Sequence, residues 1–295
     1  MDIKYFSTDT HIGAVHLNVN FMDNSIKFYT EILGLKVLDR QADYIALGAD
    51  EQPLVYLYET AAPRKERQAG LYHMAFLVPS RTALGNIFKH LIQTQYPLSG
   101  ASDHFVSEAL YLQDPEGNGI EIYHDRPATD WTYQDNGHID MGTVEMDYQG
   151  VLDANDGTAF AGLPPETIMG HVHLSTKELP QTIKFYEDIF GFDIMTTYGA
   201  QAAFMSAAGY HHHLGLNTWG HAVNSPELTD PGLRKYEINF PNGEDFEYFK
   251  NKLTELGLTT ERDGNSELVR DPNGIGIRVM YRKGQHQSNT TKERL

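Results

Sequence analysis

One segment of this chain occurs twice, with 10 of its 22 positions identical. Residues 13–34 read GAVHLNVNFMDNSIKFYTEILG, and residues 170–191 read GHVHLSTKELPQTIKFYEDIFG. The copies align without gaps at an offset of 157 positions, and the same offset carries DPEGNGI at 114–120 onto DPNGIGI at 271–277. Two matches at one offset predict that the second half of the chain duplicates the first.

Each half divides once more into two similar modules. In the first half, apolar residues at helical spacing predict amphipathic helices from Ser25 to Leu33 and from Arg81 to Gln93. Short apolar or alternating runs around these helices predict strands, and DPEGNG predicts a tight turn between two of them. The pattern predicts an α+β protein of four βαβββ modules, at about residues 10–60, 69–125, 167–220 and 230–283.

The modules divide the chain into four segments. We expect an N-terminal half at 1–125, a linker at 126–166, a C-terminal half at 167–283 and a polar tail at 284–295. The linker is rich in Asp, Gly and Pro and lacks a clear hydrophobic period, which predicts a long irregular connection.

Composition excludes several classes of function. The net charge is −17, and an acidic chain repels phosphate backbones, so we expect no nucleic-acid partner. The chain has 14 His and no Cys, so disulfides and thiolate sites are excluded and a metal would be held by His and carboxylate. No apolar run approaches a membrane span of about 20 residues, and no signal-peptide pattern opens the chain. We therefore expect a cytoplasmic protein with no membrane partner.

The four-module pattern also resembles a known family. Together with the phrases GLYH, SEALYLQDPEGNGIEIY and YHHHLGLNTW, it resembles the vicinal oxygen chelate superfamily. Within it, the chain looks most like the two-domain extradiol ring-cleaving dioxygenases, the catechol 2,3-dioxygenase type of Gram-positive bacteria. The resemblance covers about residues 10–282. It implies the glyoxalase/bleomycin resistance/extradiol dioxygenase fold, in which modules pair into two cup-shaped sheets.

The resemblance further implies a divalent metal held by two His and one Glu. The His ligands come from the opening strands of two paired modules, and the Glu comes from the last strand of one. In this sequence the positions hold His73 and Glu121 in the second module and His171 in the third. The same positions in the first and fourth modules hold Ala14, Lys235 and Arg278.

Those two sets of residue types indicate how the modules pair. Ala, Lys and Arg offer a divalent cation no lone pair, so only the first set is intact. If modules paired in chain order, each cup would hold an incomplete set. We therefore infer that modules two and three share one cup, and that modules one and four share the other.

One alternative ligand set stays open. His16 and His173 lie two residues beyond the ligand position, on the same strand face, in both halves. A triad of His16, His73 and Glu121 within the N-terminal half is therefore a second hypothesis.

Further site residues are implied by the resemblance. It places an acid/base His in the strand that YHHHLGLNTW opens, which points to His213. Alternation along a strand would put His211, a candidate substrate-binding residue, on the same face as His213, with His212 on the other. Tyr111, one strand before Glu121, is the second candidate catalytic residue, and His104 is a candidate substrate contact.

The ligand set favours one type of chemistry. Two neutral imidazoles and one carboxylate form the facial triad of non-haem Fe(II) oxygenases, although Mn, Zn and Ni also accept such ligands. The resemblance implies an Fe(II)-dependent oxidoreductase that cleaves a catechol or hydroquinone with O2. The alternatives are a glyoxalase-like isomerase or transferase and a non-catalytic protein that binds an aromatic or a quinone. The sequence leaves a homo-oligomer open.

Overall fold

Residues 9–281 are described by a computed structural model. Within this range the strands form two sheets, one of eight strands and one of nine. The polar tail expected at 284–295 lies outside the described residues. No helix in the described range is both long and apolar enough to cross a membrane.

The N-terminal half contains the first two modules. The strands of module one are β1 His11–Val19, β2 Lys36–Arg40, β3 Ile45–Gly48 and β4 Val55–Glu59. Its helix α1 spans Met22–Lys27 and continues as a π-helix over Phe28–Ile32. The elements of module two are β5 Gly70–Leu77, α2 Arg81–Gln93, β6 Leu98–Asp103, β7 Ser107–Gln113 and β8 Gly119–Asp125.

The segment at 126–166 is more ordered than its composition suggests. It contains a 3₁₀ turn at Ala128–Asp130, the short strand β9 Val144–Glu145 and helix α3 Tyr148–Asp153. Strand β9 pairs with β6 and so extends the nine-stranded sheet. Side chains that lie between the 3₁₀ turn and β9 in the chain are buried against module three. The segment therefore packs on the C-terminal half as well.

The C-terminal half repeats the module twice more. The elements of module three are β10 Ile168–Ser175, α4 Leu179–Phe190, β11 Asp193–Tyr198, β12 Ala202–Ser206 and β13 Leu214–Asn217. Those of module four are β14 Gly232–Phe240, α5 Gly243–Glu255, β15 Glu261–Asp263, β16 Ser266–Arg270 and β17 Gly276–Tyr281.

The modules pair as the residue types at the ligand positions indicated. Strand β1 pairs antiparallel with β14, so modules one and four form the sheet of order β15-β16-β17-β14-β1-β4-β3-β2. Strand β5 pairs antiparallel with β10, so modules two and three form the sheet of order β11-β12-β13-β10-β5-β8-β7-β6-β9. The prediction of four βαβββ modules paired into two curled sheets is confirmed.

Local sequence explains where the helices begin and end. Helix α2 starts as predicted, because the Ser80 side chain accepts a hydrogen bond from the Ala83 N–H at 3.1 Å. Helix α1 differs from its predicted span, since it begins three residues earlier and widens into the π-helix. Strands β2 and β6 gave no clear apolar pattern because most of their positions are half-buried or exposed.

Candidate metal centre

Three strands bring the predicted ligands to one face of the nine-stranded sheet. His73 lies on β5, Glu121 on β8 and His171 on β10. Ala75 of β5 stands opposite His171 on one side and Glu121 on the other. His73 lies two residues before Ala75 and therefore projects from the same face.

The ligand atoms converge. His73 Nε2 lies 3.0 Å from Glu121 Oε2 and 3.3 Å from His171 Nε2, and His171 Nε2 lies 3.2 Å from the same oxygen. The three ligand atoms are close enough together to bind one ion, and the residues form a cluster suited to a metal ion.

Burial and charge favour the protonation states that bind a metal. Burial raises the pKa of Glu121, but the imidazoles of His171 and His73 outweigh it and hold that pKa well below its usual range. Burial lowers the pKa of His171 to about 4, against the attraction of Glu121. The buried Glu121 carboxylate carries a negative charge, which a cation would compensate.

Gly170, next to the proposed ligand His171, affects how closely the neighbouring side chains can approach. A Cβ at Gly170 would fall on the hydroxyl of Tyr123, which lies on β8 two residues after Glu121. The Tyr123 ring also packs against His171, with centroids 5.0 Å apart. Gly170 therefore allows the His171 strand and the Tyr123 side chain to approach each other closely.

Two members of the triad, His73 and Glu121, line a cavity of about 440 Å³. This volume lies in the usual range for small-molecule sites. Nine aromatic or histidine residues line the cavity, namely Tyr72, His73, His104, Tyr111, His173, Tyr198, Phe204, His212 and Trp219. Met141 and Thr143 add to the wall, so the segment at 126–166 contributes directly to the site.

The three histidines at 211–213 are not arranged as strand alternation predicted. Strand β13 begins only at Leu214, and the positive φ angles of Ala208 and Gly209 turn the chain just before the histidines. Alternation therefore does not apply to them. It is His212 that lines the cavity, with its ring centroid 4.0 Å from that of His171.

His211, the candidate substrate contact, is not among the residues that line the cavity. His211 is fully buried, its Nε2 lies 2.8 Å from Asp125 Oδ1, and its Nδ1 lies 2.8 Å from Nδ1 of His212. Both ring nitrogens are therefore engaged within the protein, and neither is left for a substrate.

His213 is placed behind the cavity wall. Its Nδ1 lies 2.9 Å from the Ser206 hydroxyl and accepts from the Ala207 N–H at 3.3 Å. Its ring packs against Phe192, which belongs to the main hydrophobic core. The structure thus brings His212, and not His213, to the triad.

Tyr111 and His104 both lie in the cavity wall. His104 Nδ1 donates to the Gly142 carbonyl at 2.7 Å, because a carbonyl oxygen only accepts. In neutral His104 the other nitrogen is then an acceptor, and the Tyr111 hydroxyl donates to it at 2.6 Å. Burial, the nearby charge of Glu121 and a hydrogen bond with Glu121 raise the pKa of Tyr111, which links the pair to the triad.

The eight-stranded sheet carries a different polar cluster at the corresponding place. Glu237 on β14, which the sequence did not single out, is buried 3.2 Å from His16 Nε2 and 3.4 Å from Arg278 Nη1. It also accepts from the Ala14 N–H at 3.2 Å. The alternative triad containing His16 is therefore wrong, because His16 belongs to the other sheet and bonds to Glu237.

Comparison with known proteins agrees with the geometry. Residues 11–122 and 168–279 match the model of the Glyoxalase/Bleomycin resistance protein/Dioxygenase superfamily. A protein of Bacillus subtilis (strain 168) named catechol-2,3-dioxygenase is 40% identical over 272 residues, which cover 90% of this chain and 94% of the relative.

Solved structures share the fold. A protein of Bacillus subtilis subsp. subtilis strain 168 assigned as a dioxygenase has a TM-score of 0.63 at 14% identity, covering 92% of this chain and 84% of its own. Glyoxalase I of Zea mays has a TM-score of 0.56 at 17% identity, covering 92% of each chain. With both halves matched by one family model, this chain belongs to the Glyoxalase/Bleomycin resistance protein/Dioxygenase superfamily.

Proposed function

We propose that this protein is an Fe(II)-dependent extradiol dioxygenase that cleaves the ring of a catechol or hydroquinone. In the reaction, the bond between a hydroxylated ring carbon and its neighbour outside the diol breaks. Both atoms of O2 enter the product, which therefore has the composition of substrate plus O2. The observation that carries the proposal is the convergence of His73, Glu121 and His171 beside an aromatic-walled cavity. The 40% identity to a protein named catechol-2,3-dioxygenase supports it.

The three ligands would hold the metal through two imidazole nitrogens and one carboxylate oxygen. Bound Fe(II) would supply Lewis acidity toward two vicinal oxygens and one-electron chemistry toward dioxygen. The cavity walls supply the rest: rings such as Tyr72 and Trp219, 5.4 Å apart, offer apolar surface to an aromatic substrate. The same donor set accepts Mn, Zn and Ni, so the choice of iron rests on the reaction proposed.

His212 is the residue placed to take the substrate hydroxyl proton. It lines the cavity beside His171, and its Nδ1 is engaged by His211, so Nε2 is the nitrogen that can serve a substrate. General-base groups act through such direct contact. We therefore assign to His212 the acid/base role that the sequence suggested for His213.

Tyr111 and His104 are proposed to position the substrate. The Tyr111 hydroxyl lines the cavity and lies 2.6 Å from His104 Nε2, and its oxygen carries lone pairs. It can accept a hydrogen bond from a substrate hydroxyl. The His104 bond to the Gly142 carbonyl fixes the orientation of the pair.

The test is anaerobic loading of the full chain with Fe(II), followed by addition of substituted catechols and hydroquinones and then air. We expect stoichiometric O2 uptake and a coloured ring-cleavage product that carries both oxygen atoms of ¹⁸O2. The matched control is Glu121→Gln, which keeps the size of the side chain and removes its charge.

Two outcomes would contradict the proposal. Tight metal binding without O2 uptake across the substrate panel would remove the dioxygenase and leave a binding protein. Turnover of a substrate without O2, with any divalent metal, would instead indicate an isomerase or transferase.

A further inference from the structure

A chain of hydrogen bonds runs from the partly exposed Asp125 to the cavity. The side chain of Asp125, on β8, is 21% exposed, and its Oδ1 lies 2.8 Å from Nε2 of the fully buried His211. Nδ1 of His211 lies 2.8 Å from Nδ1 of His212, the histidine that lines the cavity. Three side chains are thus connected in series.

The direction of this chain follows from what each atom can do. A carboxylate oxygen only accepts, so Nε2 of His211 carries a hydrogen. In neutral His211 the remaining nitrogen, Nδ1, then has a lone pair and accepts from Nδ1–H of His212. Neutral His212 has only one ring hydrogen, so its Nε2 is left with a lone pair.

The surroundings of Asp125 keep the carboxylate in place. Its second oxygen, Oδ2, accepts from the Tyr210 hydroxyl at 2.9 Å, and Tyr210 in turn lies 2.8 Å from the Tyr123 hydroxyl. The Trp131 ring contacts His211 edge to face, with centroids 5.4 Å apart. The carboxylate and the imidazole that it orients are therefore held on several sides.

We propose that Asp125 and His211 are positioning residues that fix the tautomer of His212, leaving Nε2 as the unprotonated nitrogen of this cavity-lining residue. The inference rests on the proposed function only for its catalytic consequence, because the tautomer is a property of the protein itself. A group that takes a proton from a substrate must present a lone pair at that point. An orienting carboxylate acts in the same way when it holds a catalytic imidazole in one tautomer.

The experiment reads the tautomer directly. The full chain is labelled with ¹⁵N-histidine and loaded with diamagnetic Zn(II), and the ring nitrogens are observed by long-range ¹H–¹⁵N NMR. The spectrum of His212→Gln assigns the His212 signals by their loss. We expect wild-type His212 to show a protonated Nδ1 and an unprotonated Nε2.

Asp125→Asn tests the cause. The amide NH2 of Asn can donate to Nε2 of His211, which reverses the chain and places the hydrogen of His212 on Nε2. We expect the Nδ1-protonated signature of His212 to be lost in this variant. The matched control is Asp103→Asn, the same chemical change at a carboxylate that is 22% exposed and bonded to Arg126. It should leave the His212 signature unchanged.

The outcomes separate the two proposals. A protonated Nε2 in the wild type, or an unchanged His212 signature in Asp125→Asn, would overturn the tautomer proposal. If Asp125→Asn does not fold, His211→Phe removes both bridging nitrogens, and a His212 signature that persists there overturns the tautomer proposal equally.

In the iron-loaded enzyme, Asp125→Asn should lower kcat by about a hundredfold with little change in KM. Asp103→Asn should change neither kcat nor KM. The expected NMR pattern together with no ring cleavage by the wild type would count against the dioxygenase alone.

Discussion

The Nε2 atoms of His73 and His171 lie 3.3 Å apart although 98 positions separate the residues in the chain. Strands β5 and β10 pair antiparallel, with His73 directly opposite His173 and His171 opposite Ala75. The two ligands therefore meet on a diagonal across the pair, within reach for long side chains. The site exists only because one module from each half contributes a strand to the same sheet.

This geometry predicts that metal binding depends on His171 and not on its counterpart in the second sheet. We expect His171→Ala to weaken binding of Fe(II) or Zn(II) at least about a hundredfold, because one of three protein ligands is lost. His16→Ala should leave metal stoichiometry and affinity unchanged, because His16 bonds to Glu237 in the other sheet.

Equilibrium dialysis with metal analysis measures both variants, and circular dichroism confirms that each is folded. Retention of full metal affinity by His171→Ala would show that the triad is assigned wrongly.

A second prediction concerns the contact between Gly170 and Tyr123. We expect Gly170→Ala to lower the free energy of unfolding by about 1–3 kcal/mol and to weaken metal binding, because its new methyl group displaces the Tyr123 hydroxyl. Chemical denaturation measures the first effect and dialysis the second.

The double variant Gly170→Ala/Tyr123→Phe provides the control. Removing the hydroxyl relieves part of the clash, so the two changes together should cost less than the sum of the single changes. Strict additivity would mean that the two residues do not compete for the same space.

A third prediction uses the pH dependence of stability in the metal-free protein. Burial lowers the pKa of His16, although its hydrogen bond with Glu237 raises it, and Lys235 and Arg278 lower it further. At His16, the unfolded chain therefore binds more protons than the folded chain below about pH 6.5. This residue's contribution to the free energy of unfolding falls as the pH is lowered from there.

Replacing His16 by Gln removes this contribution. Below about pH 6.5, the loss of stability on acidification should become shallower by at most about 1.4 kcal/mol per pH unit, the slope for one proton. Urea denaturation at closely spaced pH values measures the slope. An unchanged slope would indicate that His16 titrates normally in the folded protein.

A fourth prediction addresses the Tyr111–His104 pair. We expect Tyr111→Phe to lower kcat/KM of the iron-loaded enzyme about tenfold, because the substrate loses a hydrogen-bond acceptor and His104 loses its donor. Metal content should not change, since Tyr111 is not a ligand. Steady-state O2 uptake with metal analysis tests this.

The matched control is Tyr96→Phe, because Tyr96 is not among the residues that line the cavity and its hydroxyl donates to the Gln113 carbonyl. A loss of kcat/KM in this control equal to that in Tyr111→Phe would show that the effect reflects general destabilisation.

Much of the site could be predicted because the chain is duplicated. Comparing equivalent positions showed one complete ligand set and one reduced to Ala14, Lys235 and Arg278, which indicated the pairing of modules. Glu237 escaped this comparison because its counterpart in module two is Ala75, so no ligand position pointed to it. Only the paired strands show that its carboxylate meets His16 and Arg278.

The sequence by itself predicted the modules from the repeat. The family resemblance gave the candidate ligand positions, and the residue types at those positions indicated the partner of each module. The tertiary structure decided which histidine of 211–213 faces the cavity. The period of two that assigns faces holds only inside a strand, and these residues follow a turn with positive φ angles at Ala208 and Gly209. Their side-chain directions are therefore set by distant partners such as Asp125, which the local sequence does not specify.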